Sequence, residues 1–122
     1  MKIVVTPPFT EEQKKHIIEA AGPERPIFRL KSEITEELLS DADVILGNLD
    51  NPSQVRWAYR LKWIQLNNAG TEGYCEPGLL PEGAVLTNAT GAYGLAISEH
   101  MIACLFMLRK KLNLYYEDQL RR

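Results

Sequence analysis

Five short apolar runs punctuate this chain, and stretches with helical patterning separate them. That alternation constrains the fold more than any other feature. The runs are residues 2–6 (KIVVT), 26–30 (PIFRL), 42–47 (ADVILG), 62–66 (KWIQL) and 84–88 (AVLTN). Each is too short for a helix and is flanked by turn residues, so each reads as a strand. Helix signals lie between them. Thr10-Glu11-Glu12-Gln13 is a capping box opening a helix that runs to about Ala21, buries Ile17 and Ile18, and stops at Gly22-Pro23. Thr35 caps a second helix over 36–40, with Ile34 and Leu39 as its hydrophobic staple. Asn51-Pro52 opens a third, carrying Val55, Trp57, Ala58 and Tyr59. No internal repeat interrupts the order. The pattern predicts one domain over 1–122 with a doubly wound, flavodoxin-like parallel sheet of five strands and helices on both faces.

The last strand leads through a glycine-bearing turn into a long helix, expected over about 94–120. Met101, Leu105, Leu108, Leu112 and Tyr115 recur at the spacing of one buried face. Residues 101–108 (MIACLFML) are apolar at every position, however, so Ile102, Phe106 and Met107 fall on other faces. A helix apolar all round must be covered all round. The chain's own sheet can cover one side, and the other calls for a partner.

Composition excludes several classes. A net charge of −2 argues against nucleic acid or an anionic membrane as the main partner. The cations of Arg109-Lys110-Lys111 and Arg121-Arg122 read as helix-end charges, favourable against the helix dipole. Cys75 and Cys104 lack the paired spacing of a zinc or redox motif, and Cys104 reads as a small core residue. No signal-peptide pattern opens the chain, and no apolar run approaches the ~20 residues that span a bilayer. The expected location is the cytoplasm.

In a sheet of this kind ligands bind beyond the carboxyl ends of the strands. That rule selects the loops 6–9, 47–51 and 67–74, with the turn 90–94 as a fourth. Residues 66–74 (LNNAGTEGY) are small and carry two glycines, so their backbone can approach a ligand and offer N–H groups to an anion. The plainer reading is that Gly70 and Gly73 only permit a tight turn. Residues 90–94 (TGAYG) open a helix, whose free N–H groups also favour anions, but they match neither a P-loop nor G-x-G-x-x-G. No catalytic constellation and no metal site emerges. His16 reads as a solvated surface residue. His100 follows Glu99 directly, so the two point about 100° apart on a helix and make no dyad.

Two stretches, LKWIQLNNAGTEGY and LPEGAVLTNATGAYGLAISEHMIACLFMLRKKL, carry a resemblance. Their order and spacing resemble the D-isomer-specific 2-hydroxyacid dehydrogenases, in the N-terminal substrate-binding domain. The matching elements are Ala69-Gly70-Thr71-Glu72, Val85-Leu86-Thr87-Asn88 and Ser98-Glu99-His100, with a weaker match at Ala42-Asp43-Val44-Ile45. The resemblance covers essentially the whole chain. It implies a flavodoxin-like domain paired with a Rossmann domain that binds NAD or NADP, the 94–120 helix bridging the two. It also implies that backbone N–H groups of Ala69 and Gly70 hold the carboxylate of a small 2-oxo or 2-hydroxy acid, within a substrate-binding set of Asn48, Leu49, Asn68, Ala69, Gly70 and Thr71. Tyr93 and Gly94 would face the cofactor; many members have threonine where this chain has Gly94.

The family's catalytic arginine, acidic residue and histidine belong to the NAD-binding domain, and nothing in these residues maps onto them. The chain is therefore expected to be inactive alone and to bind no cofactor by itself. The expected partners are that missing domain and, through the 94–120 helix, a second copy in a dimer. The alternative is a stand-alone, non-catalytic module that binds a carboxylate or self-associates. A receiver lacks its acidic cluster here, because Asp43 precedes its strand. A flavodoxin proper would need a phosphate loop where Pro7-Pro8 stands.

Overall fold

The structure, a computed structural model, describes residues 1–121. It divides into two compact units, Met1–Thr90 and Gly91–Arg122. In the first unit the elements follow in the order β1 (Ile3–Val5), α1 (Glu11–Ala21), β2 (Ile27–Phe28), α2 (Glu36–Leu39), β3 (Val44–Leu46), β4 (Trp63–Gln65) and β5 (Val85–Thr87). Short 3-10 segments occupy Lys31–Glu33 and Pro52–Trp57. All neighbouring strands are parallel, in the order β2-β1-β3-β4-β5, which is the flavodoxin-like order expected from the alternation.

Register explains why the sheet has two unlike faces. Ile27, Val4, Ile45, Ile64 and Leu86 lie side by side across the strands. Side chains alternate along a strand, so this row points to one face. There Val4, Ile45 and Ile64 join Ile34, Leu39, Val55, Leu61, Leu66 and Tyr74 in the main core. The opposite face carries Ile3, Val5 and Val44, with Ile17, Ala21, Phe28 and Leu46 packed against them. Helix α1 covers that part. Further along the same face Trp63 is 41% exposed and Val85 55%. Here the row beginning Val5–Leu46 turns polar at Gln65 and Thr87, and Thr87 Oγ1 donates to Gln65 Oε1 while accepting from Trp63 Nε1, each at 2.7 Å. The half of this face beneath β4 and β5 is thus open.

The caps form as their residues dictate. Thr10 Oγ1 accepts from Gln13 N and Gln13 Oε1 accepts from Thr10 N, closing the box at α1. Thr35 Oγ1 accepts from Leu38 N, with Ile34 and Leu39 both buried as the staple requires. At the amino-terminal ends of the strands, buried Asp43 fastens three of them. Its Oδ2 accepts from Lys2 N at 2.8 Å, Lys62 Nζ lies 3.0 Å from Oδ1, and its carbonyl accepts from Lys62 N. The Lys2 amide and then the Lys62 ammonium hold its carboxyl below the usual aspartate range.

Several expectations need correction. Ile18 is exposed, whereas Ile17 packs on the sheet, because neighbours 100° apart on a helix cannot share one face. The third helix is a 3-10 segment of six residues, Pro52–Trp57, longer than such segments usually run. In the second unit the 94–120 stretch is two helices, α3 (Gly94–Lys110) and α4 (Leu112–Leu120). Lys111 between them takes φ 56° and ψ 35°, a left-handed conformation that ends the first helix. No residue of α3 is buried, so the expected buried face is not covered: Met101, Leu105 and Leu108 are 65%, 62% and 70% exposed. Cys104 is half-buried rather than a core residue. Among the described residues no helix is long and apolar enough to cross a membrane.

Candidate functional site

The loops that follow β1, β3, β4 and β5 meet at the carboxyl end of the sheet. Their meeting begins with Gly47, whose N–H donates to the Gln65 carbonyl at 2.7 Å. Its φ is 111°, and a Cβ there would collide with Thr6 Oγ1 and the Pro7 ring. Only glycine lets the loop after β3 pass so close to the loop after β1. Thr6 Oγ1 then donates to the Asn48 carbonyl at 2.8 Å.

Amide side chains carry the contacts onward. Asn48 N donates to Asn67 Oδ1 and Asn67 N donates to Asn48 Oδ1, both at 3.0 Å. Asn48 Nδ2 donates to Asn68 Oδ1 at 2.8 Å. From the other side Ala89 N donates to the Asn68 carbonyl at 3.0 Å, and Asn88 Nδ2 to the Ala69 carbonyl at 2.7 Å. Thr90 N returns a bond to Asn88 Oδ1. Below them Tyr74 OH accepts from Leu49 N at 2.8 Å. Burial raises the Tyr74 phenol above its ordinary pKa, so it stays protonated at neutral pH.

These bonds set the direction of two peptide groups. In a trans peptide the carbonyl and the following N–H point opposite ways. The carbonyls of Asn68 and Ala69 both turn towards Asn88 and Ala89, so the N–H groups of Ala69 and Gly70 both turn away from that pair. Among the described residues no group accepts from either N–H. Two adjacent donors held on one side are an arrangement that suits an anion. Gly70 needs no left-handed φ, in contrast to Gly73 at 79°, so the turn explanation holds for Gly73 alone. A Cβ on Gly70 would meet the Glu72 carboxylate, which lies against it. The loops 6–9, 47–51, 66–74 and 88–90 contain no Lys, Arg or His; Asp50 and Glu72 are their charged residues.

Of the residues expected to bind substrate, Asn68, Ala69, Gly70 and Thr71 are together in this loop, with Asn48 beside it. Asn48 is 8% exposed and its side chain is engaged in the loop contacts. The Leu49 side chain, 4% exposed, belongs to the main core. Tyr93 and Gly94 lie in the second unit. Tyr93 stands at the cap of α3, its carbonyl accepting from Ile97 N at 3.0 Å, and Gly94 is the first helical residue, with open space around it. His100 Nε2 is 3.5 Å from Cys104 Sγ, one turn along α3, and His16 is exposed. The described residues contain no group of three His, Cys, Asp or Glu placed to hold a metal. The roles of Asn88 and Tyr74 escaped the sequence reading. One signal pointed to the first: an asparagine closes each of β3, β4 and β5, at Asn48, Asn67 and Asn88.

The first unit is a parallel doubly wound α/β fold with two unpaired backbone N–H groups, those of Ala69 and Gly70, at the carboxyl end of its sheet. Among solved structures, its fold is similar to a D-isomer specific 2-hydroxyacid dehydrogenase family protein from Aeromonas salmonicida subsp. salmonicida A449. The TM-score is 0.73 at 23% identity, covering 99% of this chain and 39% of that one. It is also similar to phosphoglycerate dehydrogenase from Lactobacillus plantarum, with TM-score 0.58 at 20% identity, covering 100% of this chain and 40% of that one. The chain thus spans about two-fifths of the length of these solved structures. No protein-family model and no curated protein matches the sequence.

Proposed function

We propose that this chain is the substrate-binding part of an NAD(P)-dependent oxidoreductase that interconverts 2-oxo acids and D-2-hydroxy acids. The observation that carries the proposal is the pair of free, co-directed N–H groups at Ala69 and Gly70. Such donors take a carboxylate by charge-assisted hydrogen bonds, and a carboxylate is what every 2-oxo acid presents. The likeness in fold to two dehydrogenases supports the same reading.

In this proposal Ala69 and Gly70 hold the carboxylate, with Asn68 and Thr71 flanking it, while Asn48 and the core residue Leu49 lie behind the loop on the β3 side. A nicotinamide nucleotide would supply or take the hydride. The sequence carries no G-x-G-x-x-G fingerprint. The nucleotide and the proton-transferring groups belong to a separate Rossmann domain, towards which Tyr93 and Gly94 would face. The enzyme works in the cytoplasm in this reading.

A titration of the isotope-labelled chain with pyruvate, followed by amide NMR, tests the binding step. Shifts led by Ala69 and Gly70 are expected, and shifts confined to other residues would refute it. The chain mixed with NADH and a panel of 2-oxo acids is expected to show no turnover. Measurable NADH oxidation would overturn the division of labour.

The exposure of α3 favours a second reading, in which the chain self-associates through the helical unit. An apolar surface of this extent marks an interface. Sedimentation across a concentration series separates the readings, since a monomer at every concentration would count against self-association.

A further inference from the structure

We infer that Asn48 is a positioning residue of the anion loop and makes no contact with the ligand. The inference rests on the carboxylate-binding reading of Ala69 and Gly70, and it assigns Asn48 a different part in that site. Each of its polar atoms is already engaged. The N–H and Oδ1 form a reciprocal pair with Asn67, Nδ2 reaches Asn68 Oδ1, and the carbonyl accepts from Thr6 Oγ1. Only 8% of the residue is exposed. Both amide orientations are fixed by backbone donors, because the oxygens must face the N–H groups of Asn67 and Asn48.

The geometry extends the sheet by one step. Strands β3 and β4 pair up to the bond from Gly47 N to the Gln65 carbonyl. Beyond it the Asn48–Asn67 exchange does with one side chain on each strand what a ladder pair does with backbone alone. Asn68 and Ala69 therefore leave β4 from a fixed starting point. Their carbonyls are then fastened on the β5 side by Ala89 N and Asn88 Nδ2. Held on both sides, the loop has its two N–H groups aimed before any ligand arrives. A preorganised donor pair loses less on binding than a floppy one.

A contact residue and a positioning residue predict different patterns across ligands. Acetate, glyoxylate, pyruvate and 2-oxobutanoate share a carboxylate and differ in the rest of the molecule. Loss of a residue that touches the rest would change their affinities unequally. Loss of one that aims the shared carboxylate site weakens all four by one factor. The experiment titrates the labelled chain and its Asn48→Ala variant with each acid, reading the Ala69 and Gly70 amides. Asn48→Ala is expected to raise all four dissociation constants by about tenfold, the equivalent of one or two lost hydrogen bonds.

Thr6→Val provides a second arm if Asn48→Ala does not fold. It removes the bond to the Asn48 carbonyl and keeps the Asn48 side chain, and a common rise of about two- to threefold is expected. Unchanged affinity in the variants, or factors that differ by more than about threefold among the ligands, would overturn the inference while the binding proposal stands. Failure of the unmodified chain to shift at Ala69 and Gly70 with any acid overturns both.

Discussion

Replacing Gly47 with alanine probes the closest approach in the structure, and its cost divides into three parts. Backbone held at φ 111° costs an L residue about 1–3 kcal/mol. The new Cβ would overlap Thr6 Oγ1 and the Pro7 ring. A proline ring has no rotamer that clears the space, so the backbone must shift, at about 1–3 kcal/mol. That shift also breaks the Thr6–Asn48 bond, worth about 1 kcal/mol. The sum, about 3–7 kcal/mol, is a large share of the ~5–15 kcal/mol that holds a domain together. Gly83 supplies the control. It has φ 79° with nothing within 4 Å of an added Cβ, so Gly83→Ala costs only the backbone part, about 1–2 kcal/mol. Urea unfolding followed by tryptophan fluorescence measures both. With a slope of ~1.5 kcal/mol per molar, the midpoint falls by about 2–5 M for Gly47→Ala and by roughly 1 M for Gly83→Ala. Equal midpoints would refute the steric argument and with it the close approach of the loops after β1 and β3.

Three further outcomes follow from the same geometry. Tyr74→Phe leaves the buried Leu49 N–H without its acceptor and should lower stability by about 1–3 kcal/mol in the same urea assay; a loss below ~0.5 kcal/mol would show that the bond contributes little. Glu72→Gln removes a negative charge from beside Gly70, so pyruvate should bind about two- to threefold tighter at low salt, with the gain fading as salt is added. Asp43 has a lowered pKa when folded, so its contribution is present above the unfolded aspartate value near ~4 and is lost as pH falls below it towards the folded value. Asp43→Asn should therefore flatten the acid limb of a stability-versus-pH curve, and an unchanged limb would place the acid sensitivity elsewhere.

Much of the first unit is written in local chemistry. Thr10 with Gln13, Thr35 with Ile34 and Leu39, and Asn51 with Pro52 each mark an element that begins where they say. Strand order is legible in the alternation because parallel strands need crossovers, and few topologies satisfy the four that five strands require. What stayed hidden depends on non-local contacts. Nothing in the sequence distinguishes an Asn48 that meets ligand from one that meets Asn67, since that is decided by the β3–β4 register. The left-handed Lys111 has no glycine or proline to announce it. Ile17 and Ile18 are equally apolar, and only the packing of α1 on the sheet decides which of them is covered. A legible signal did exist in KWIQL: Ile64 and Leu66 alternate with Trp63 and Gln65, the pattern of a strand buried on one side only.

That one-sided strand gives the chain a spectroscopic gauge. The bare width beneath β4 and β5 is two strand spacings, about 10 Å, close to the diameter of one helix. Trp63 stands on it with its indole N–H already engaged by Thr87, while Trp57 packs against the opposite core. Any segment that comes to lie over the open half would dry the Trp63 ring and leave Trp57 unchanged. The emission would shift to the blue, and quenching by iodide would fall, in Trp63 alone. The two tryptophans therefore form a reporter and its internal reference, able to register occupancy of that face without a label.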